Sequence, residues 1–126
     1  MMLLTLGMVA APPEVDCENP STQLDMNLCA AREYEAADTV LNEVWVAASD
    51  KAKANDALAD DPKGEESSFD KLLAAQRAWI TYRNAHCAAE ADRYRGGSIV
   101  PLIHATCMTA LTEARTMQLR EYTEEG

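Results

Sequence analysis

Positive charge, aromatic side chains and closely spaced cysteines are all scarce in this sequence, and each scarcity removes a class of function. Eleven Lys and Arg stand against 21 Asp and Glu, for a formal net charge of −10. Such a chain is a poor ligand for nucleic acid or an anionic lipid surface and a better one for a basic protein. The imbalance is local: residues 14–66 hold 14 acids and 4 bases, whereas residues 67–126 hold seven of each. Two Trp, four Tyr and one Phe leave no obvious groove for a sugar, and a glycosidase needs two carboxylates held across such a cleft. The only histidines are His86 and His104, too few for a good metal site. The nearest cysteine spacing is the twelve residues from Cys17 to Cys29, with no C-x-x-C pair of the kind zinc prefers. No cofactor, no metal and no enzymatic activity are expected.

Long apolar runs are missing too. The amino terminus reads MMLLTLGMVAAPPEVDC, and its apolar stretch is too short to span a bilayer. Residues 1–11 resemble the apolar core and cleavage region of a secretory signal, with Val9-Ala10-Ala11 meeting the small-residue rule, although no Lys or Arg precedes them. The expectation is a signal-peptide remnant over 1–11, a single helical domain over 12–126, and a periplasmic or secreted location in a bacterial envelope.

What the sequence does have is helical periodicity. Ser21 or Thr22 caps a first helix whose apolar face is Met26, Ala30, Tyr34, Ala37, Leu41, Val44/Trp45 and Ala48. That helix is expected to fray between Asp50 and Asn55, ahead of the acidic, Pro- and Gly-containing stretch DALADDPKGEES. Ser67 caps a second helix on Leu72, Gln76, Trp79, Arg83, His86/Cys87, Glu90 and Tyr94, which Gly96-Gly97 stops. Ser98 and Pro101 open a third, with an expected apolar face of Ile103, Cys107, Ala110/Leu111, Ala114 and Met117/Gln118 and a frayed EYTEEG tail. No strand alternation, repeat or low-complexity tract competes. The fold is read as all-α, three antiparallel helices in an up-down-up bundle.

That topology gathers Cys17, Cys29, Cys87 and Cys107 at one end of the bundle. An even number of cysteines behind an export-like segment favours two disulfides. Cys17–Cys29 and Cys87–Cys107 are the favoured pairs, each worth about 3 kcal/mol through loop closure. The other two pairings remain geometrically possible, because all four thiols share one end.

The succession TQLDMNLCAAREYEAADTVLN, LLAAQRAWITYRNAHC and GGSIVP resembles a family of small bacterial envelope domains named after the lysozyme inhibitor LprI. The resemblance covers residues 17–120. It rests on Met26–Ala30, Ala37-Asp38, Leu41-Asn42 and above all Ala75–Ile80 with Tyr82-Arg83; Trp45 stands where the family commonly has Tyr. It implies a secreted, disulfide-bonded helical domain that inhibits lysozyme, with no catalytic residues to carry over.

The candidate residues then sort into three groups. Asp38, Asn42, Gln76, Arg77 and Arg83 are expected to form a polar network that fixes helix register, with Asp38 meeting Arg77 or Arg83. Trp45 and Trp79 are expected in the core. For a protein partner, a basic lysozyme above all, two elements are candidates. One is the acidic loop with Asp60, Asp61, Lys63, Gly64, Glu65 and Glu66; the other is the turn with Gly97 and Ser98. Either could plug a cleft lined by carboxylates, giving stoichiometric inhibition by occlusion. The alternative is an envelope binding or assembly module that serves another partner and leaves lysozyme alone. The oligomeric state is left open.

Overall fold

The computed structural model describes residues 15–59 and 67–125. Three helices account for nearly all of them: α1 (Gln23–Leu58), α2 (Ser68–Asp92) and α3 (Val100–Glu125). No strand occurs among the described residues. The signal-like residues 1–11 and the acidic loop residues 60–66 lie outside the described residues.

Each helix begins where the sequence places a cap. The Thr22 hydroxyl accepts the Asp25 amide at 3.0 Å, and the Ser67 hydroxyl accepts the Asp70 amide at 3.0 Å. Each cap satisfies one of the four amides that a helix start leaves free. Pro101 sits in the first turn of α3, where no amide donor is required. Between α2 and α3 the chain turns through Gly96, whose φ of +87° is the left-handed conformation that glycine adopts without steric cost.

The helices run up, down and up. Asn27 at the start of α1 donates to the Ser98 carbonyl ahead of α3, and Asp56 near the end of α1 accepts from the first amides of α2. The parallel pair α1 and α3 shares the most extensive packing, and the sequence neighbours α1 and α2 the least. Leu41, Ala48, Ala52, Leu72 and Leu119 form the main core, flanked by Val44, Trp45, Phe69, Trp79 and Tyr122. Alanines at 48 and 52 are fully buried, which is what lets α3 approach α1 closely.

Three sequence expectations need correction. First, α1 does not fray between Asp50 and Asn55: Ala52 is buried there, and the helix continues to Leu58. Second, α3 does not end before EYTEEG, because Tyr122 packs on the core and Thr123 donates to the Leu119 carbonyl at 2.8 Å. Third, the buried face of α3 is Ala105, Met108, Thr112, Thr116 and Leu119, whereas Ala110, Ala114 and Met117 are exposed. Two threonines belong to the buried stripe because their hydroxyls find partners inside, and an apolar count passes over them.

Candidate functional site

Four disulfide cysteines and one turn build the end of the bundle where α1 begins. Cys17 is bonded to Cys29 and Cys87 to Cys107, the pairs that share this end by topology. The first bridge fastens the extended segment before α1 onto that helix. The second ties the last turns of α2 to the first turns of α3, and Cys87 is fully buried. The two differ in setting: Cys17 is exposed, with the Arg32 Nη1 3.9 Å from its Sγ.

Between the two bridges stands the turn Gly96-Gly97-Ser98, exposed throughout. Its conformation is held from within by Gly97 N donating to Tyr94 O at 2.9 Å and Val100 N to Gly97 O at 3.3 Å. From outside, Asn27 Nδ2 donates to Ser98 O at 3.0 Å and is itself oriented by Gln23, whose Nε2 donates to Asn27 Oδ1 at 2.8 Å. Gln23 and Asn27 therefore brace the turn. Among the described residues, the amides of Ser98 and Ile99 have no intramolecular acceptor; Ser98 is exposed and Ile99 half-buried. Asp16, Glu18 and Asp25 lie on the segment braced against it and have no ion-pair partner among the described residues. Arg95 and Arg93 close the α2 side, paired with Asp92 at 2.7 Å and Glu90 at 3.4 Å. Ala59 and Ser67 lie at the opposite end of the bundle, where α1 finishes and α2 starts.

Further along the bundle, Arg83 occupies a layer contributed by all three helices. Its side chain is 9% exposed, with Nη1 3.8 Å from Asp38 Oδ1 and 3.3 Å from Thr112 Oγ1. The guanidinium lies over the Trp79 ring at 4.9 Å and the Tyr34 ring at 5.6 Å. Asp38 is 39% exposed, so solvent screens the ion pair to about 1 kcal/mol or less; stacking of a desolvated guanidinium on the rings contributes about 2 kcal/mol. Gln76, also buried, accepts from Arg115 Nε at 2.8 Å, and burial lowers the Arg115 pKa from its ordinary value. Asn42 and Arg77, assigned by sequence to the same network, are exposed and stand outside this layer. Thr112 and Arg115 take the places given to them. Neither carries a sequence signal, because both lie on α3 and the expected network had been built from α1 and α2 alone. Trp45 and Trp79 are half-buried, packed against the core cluster.

The residues that could suggest catalysis are arranged for other work. Cys87 is oxidised and buried, so it offers no thiolate. His86 stacks on Tyr82 with centroids 5.4 Å apart and sits 3.9 Å from Glu90 on the open surface. Among the described residues, no group of three His, Cys, Asp or Glu side chains could hold a metal ion, and no helix is long and apolar enough to cross a membrane.

Comparison with known proteins adds two findings. A family model described as "Lysozyme inhibitor LprI" matches residues 16–119. An uncharacterized protein, R02472, of Rhizobium meliloti (strain 1021) is 37% identical over 118 residues, which is 93% of this chain and 85% of that protein. No solved structure matches significantly.

Proposed function

The chain belongs to the LprI lysozyme-inhibitor family, and from that premise we propose that it binds a lysozyme-type muramidase and blocks its substrate cleft. The blocking element in this reading is the Gly96–Ser98 tip. Glycosidase clefts of this class carry two carboxyl groups, and a narrow turn that offers backbone amides and the Ser98 hydroxyl supplies hydrogen-bond donors to them. The observation that carries the reading is the bracing of the tip. The Cys87–Cys107 bridge and the Asn27–Ser98 bond hold an exposed turn in one conformation, so little ordering entropy is lost on binding.

Charge supports the same assignment. Lysozymes are typically basic, and Asp16, Glu18 and Asp25 beside the tip would meet the rim of such an enzyme while the turn enters the cleft. Long-range attraction of this kind acts mainly on the association rate and weakens with salt. The place of action is the bacterial envelope or the space outside it, where the disulfides persist.

The test is a lysis assay. Oxidised protein mixed with a c-type lysozyme should slow cell-wall lysis at near-equimolar ratio, and added salt should weaken the effect. Ser98→Trp leaves the braced carbonyl in place and widens the turn; it should weaken inhibition about tenfold or more, the equivalent of 1.4 kcal/mol. Absence of inhibition at low salt and large excess would remove this reading in favour of an envelope module with another partner.

A further inference from the structure

On the side of the bundle away from α2, the parallel helices α1 and α3 leave an open groove of about 460 Å³. Its floor at Ala37 is shallow, Val40 is 38% exposed and Met117 is 62% exposed. Charge along the groove is divided by position. Glu33 on α1 and Glu113 and Arg120 on α3 line it, with Arg120 farther from the tip than Glu113. None of the three forms an ion pair with another described residue. Along α3, Glu113 thus stands without a cation and, farther from the tip, Arg120 without a carboxylate.

From this pattern we infer that the groove is a self-association surface, and that its occupant is a second copy of the same chain packed antiparallel about a two-fold axis. Glu113 and Arg120 are seven residues apart on α3, two helical turns or about 10 Å, and Met117 lies near their midpoint. A two-fold axis at Met117 exchanges the two ends. Arg120 of one protomer then meets Glu113 of its partner, twice over, while the two Met117 side chains meet across the axis above the alanine floor. An isologous contact requires this kind of pattern, in which the surface is complementary to itself after a half-turn. Methionine suits the axis because its flexible thioether adapts to a copy of itself. The same operation points the two Gly96–Ser98 tips in opposite directions, so self-association leaves both tips free. The inference is therefore independent of lysozyme binding.

The decisive experiment is a charge exchange followed by sedimentation equilibrium on the oxidised full chain. Wild type should rise with concentration from the monomer mass of 13.8 kDa toward twice that value. Glu113→Arg and Arg120→Glu, each alone, place like charges at both ends of the contact and should weaken association by roughly a hundredfold or more. Mixed in equal amounts they should associate again, because at positions 113 and 120 the first variant supplies two cations and the second two anions. Glu113→Gln, which introduces no repulsion, should weaken association by less than Glu113→Arg. Far-UV circular dichroism and thermal melts establish that each variant is folded. A wild type that stays monomeric into the submillimolar range overturns the inference. So does self-association that ignores both reversals, or an equal mixture that remains monomeric.

Discussion

The two ends of this bundle are held by different chemistry. At the tip, one disulfide fixes the end of α2 to the start of α3, a side-chain amide ties the start of α1 to the turn between them, and a second disulfide fastens the preceding segment onto α1. At the far end no covalent bond joins the helices. Ala48, Ala52, Leu72 and Leu119 pack together there, and the Asp56 carboxylate takes the amides of Ser68 at 2.6 Å and Phe69 at 3.1 Å. Covalent closure acts mainly by restricting the unfolded chain, whereas the far end depends on burial and one cross-helix cap. The difference teaches where covalent closure was added: the end that presents the exposed turn is the one cross-linked as well as packed.

The largest way to break the contrast is to remove packing from the unlinked end. Leu119 is 1% exposed, and Leu119→Ala should cost about 2–5 kcal/mol by chemical denaturation. Hydrogen exchange should rise most at the carboxyl end of α1 and the amino end of α2, with the tip amides changing least. Next in size is the removal of covalent closure. Replacing Cys87 and Cys107 together by alanine should cost about 3 kcal/mol. Mild reduction should open Cys17–Cys29 first, since Cys17 is exposed and Cys87 is fully buried. Mass mapping of alkylated cysteines at partial reduction reads this order directly, and equal rates for the two bridges would refute it.

The smallest effect concerns protons. The Phe69 amide, opposed by desolvation and aided by Ser68, holds the Asp56 pKa below its ordinary 3.8. A depressed folded-state value means a stabilising contribution that is complete above 3.8 and is lost as pH falls through the folded value below it. Asp56→Asn should therefore lower Tm at neutral pH and make progressively less difference in acid. A deficit that stays constant from neutral pH to well below 3.8 would show that the charge on Asp56 is immaterial.

Much of this arrangement was legible in the sequence, for identifiable reasons. Thr22 and Ser67 announced their helices because a cap is local chemistry, and the face of α1 followed from Ala30, Leu41 and Ala48 at helical spacing. Up-down-up topology placed the four cysteines together, and their observed pairing follows the favoured one. The face of α3 was less legible: Ile103 and Leu111 outweigh Thr112 and Thr116 on any apolar scale, yet the threonines are the more buried. The bracing of the tip by Asn27 was hidden as well, since it joins residues 71 apart through a backbone carbonyl. Asp56 reads locally as one more acid before a loop, and only the meeting of two helix ends makes it a cap.

Arg83 has a consequence for how the helices find their alignment. Its guanidinium, carried on α2, requires Asp38 of α1 and Thr112 of α3 together, and each lies where a single rotation and a single offset put it. Sliding any helix by one residue moves its contribution about 1.5 Å along the axis and about 100° around it, which removes the partner altogether. Alanine-rich faces would accept several such offsets at similar cost. The buried cation works as the notch of a key, discarding near-miss alignments that apolar contact would tolerate.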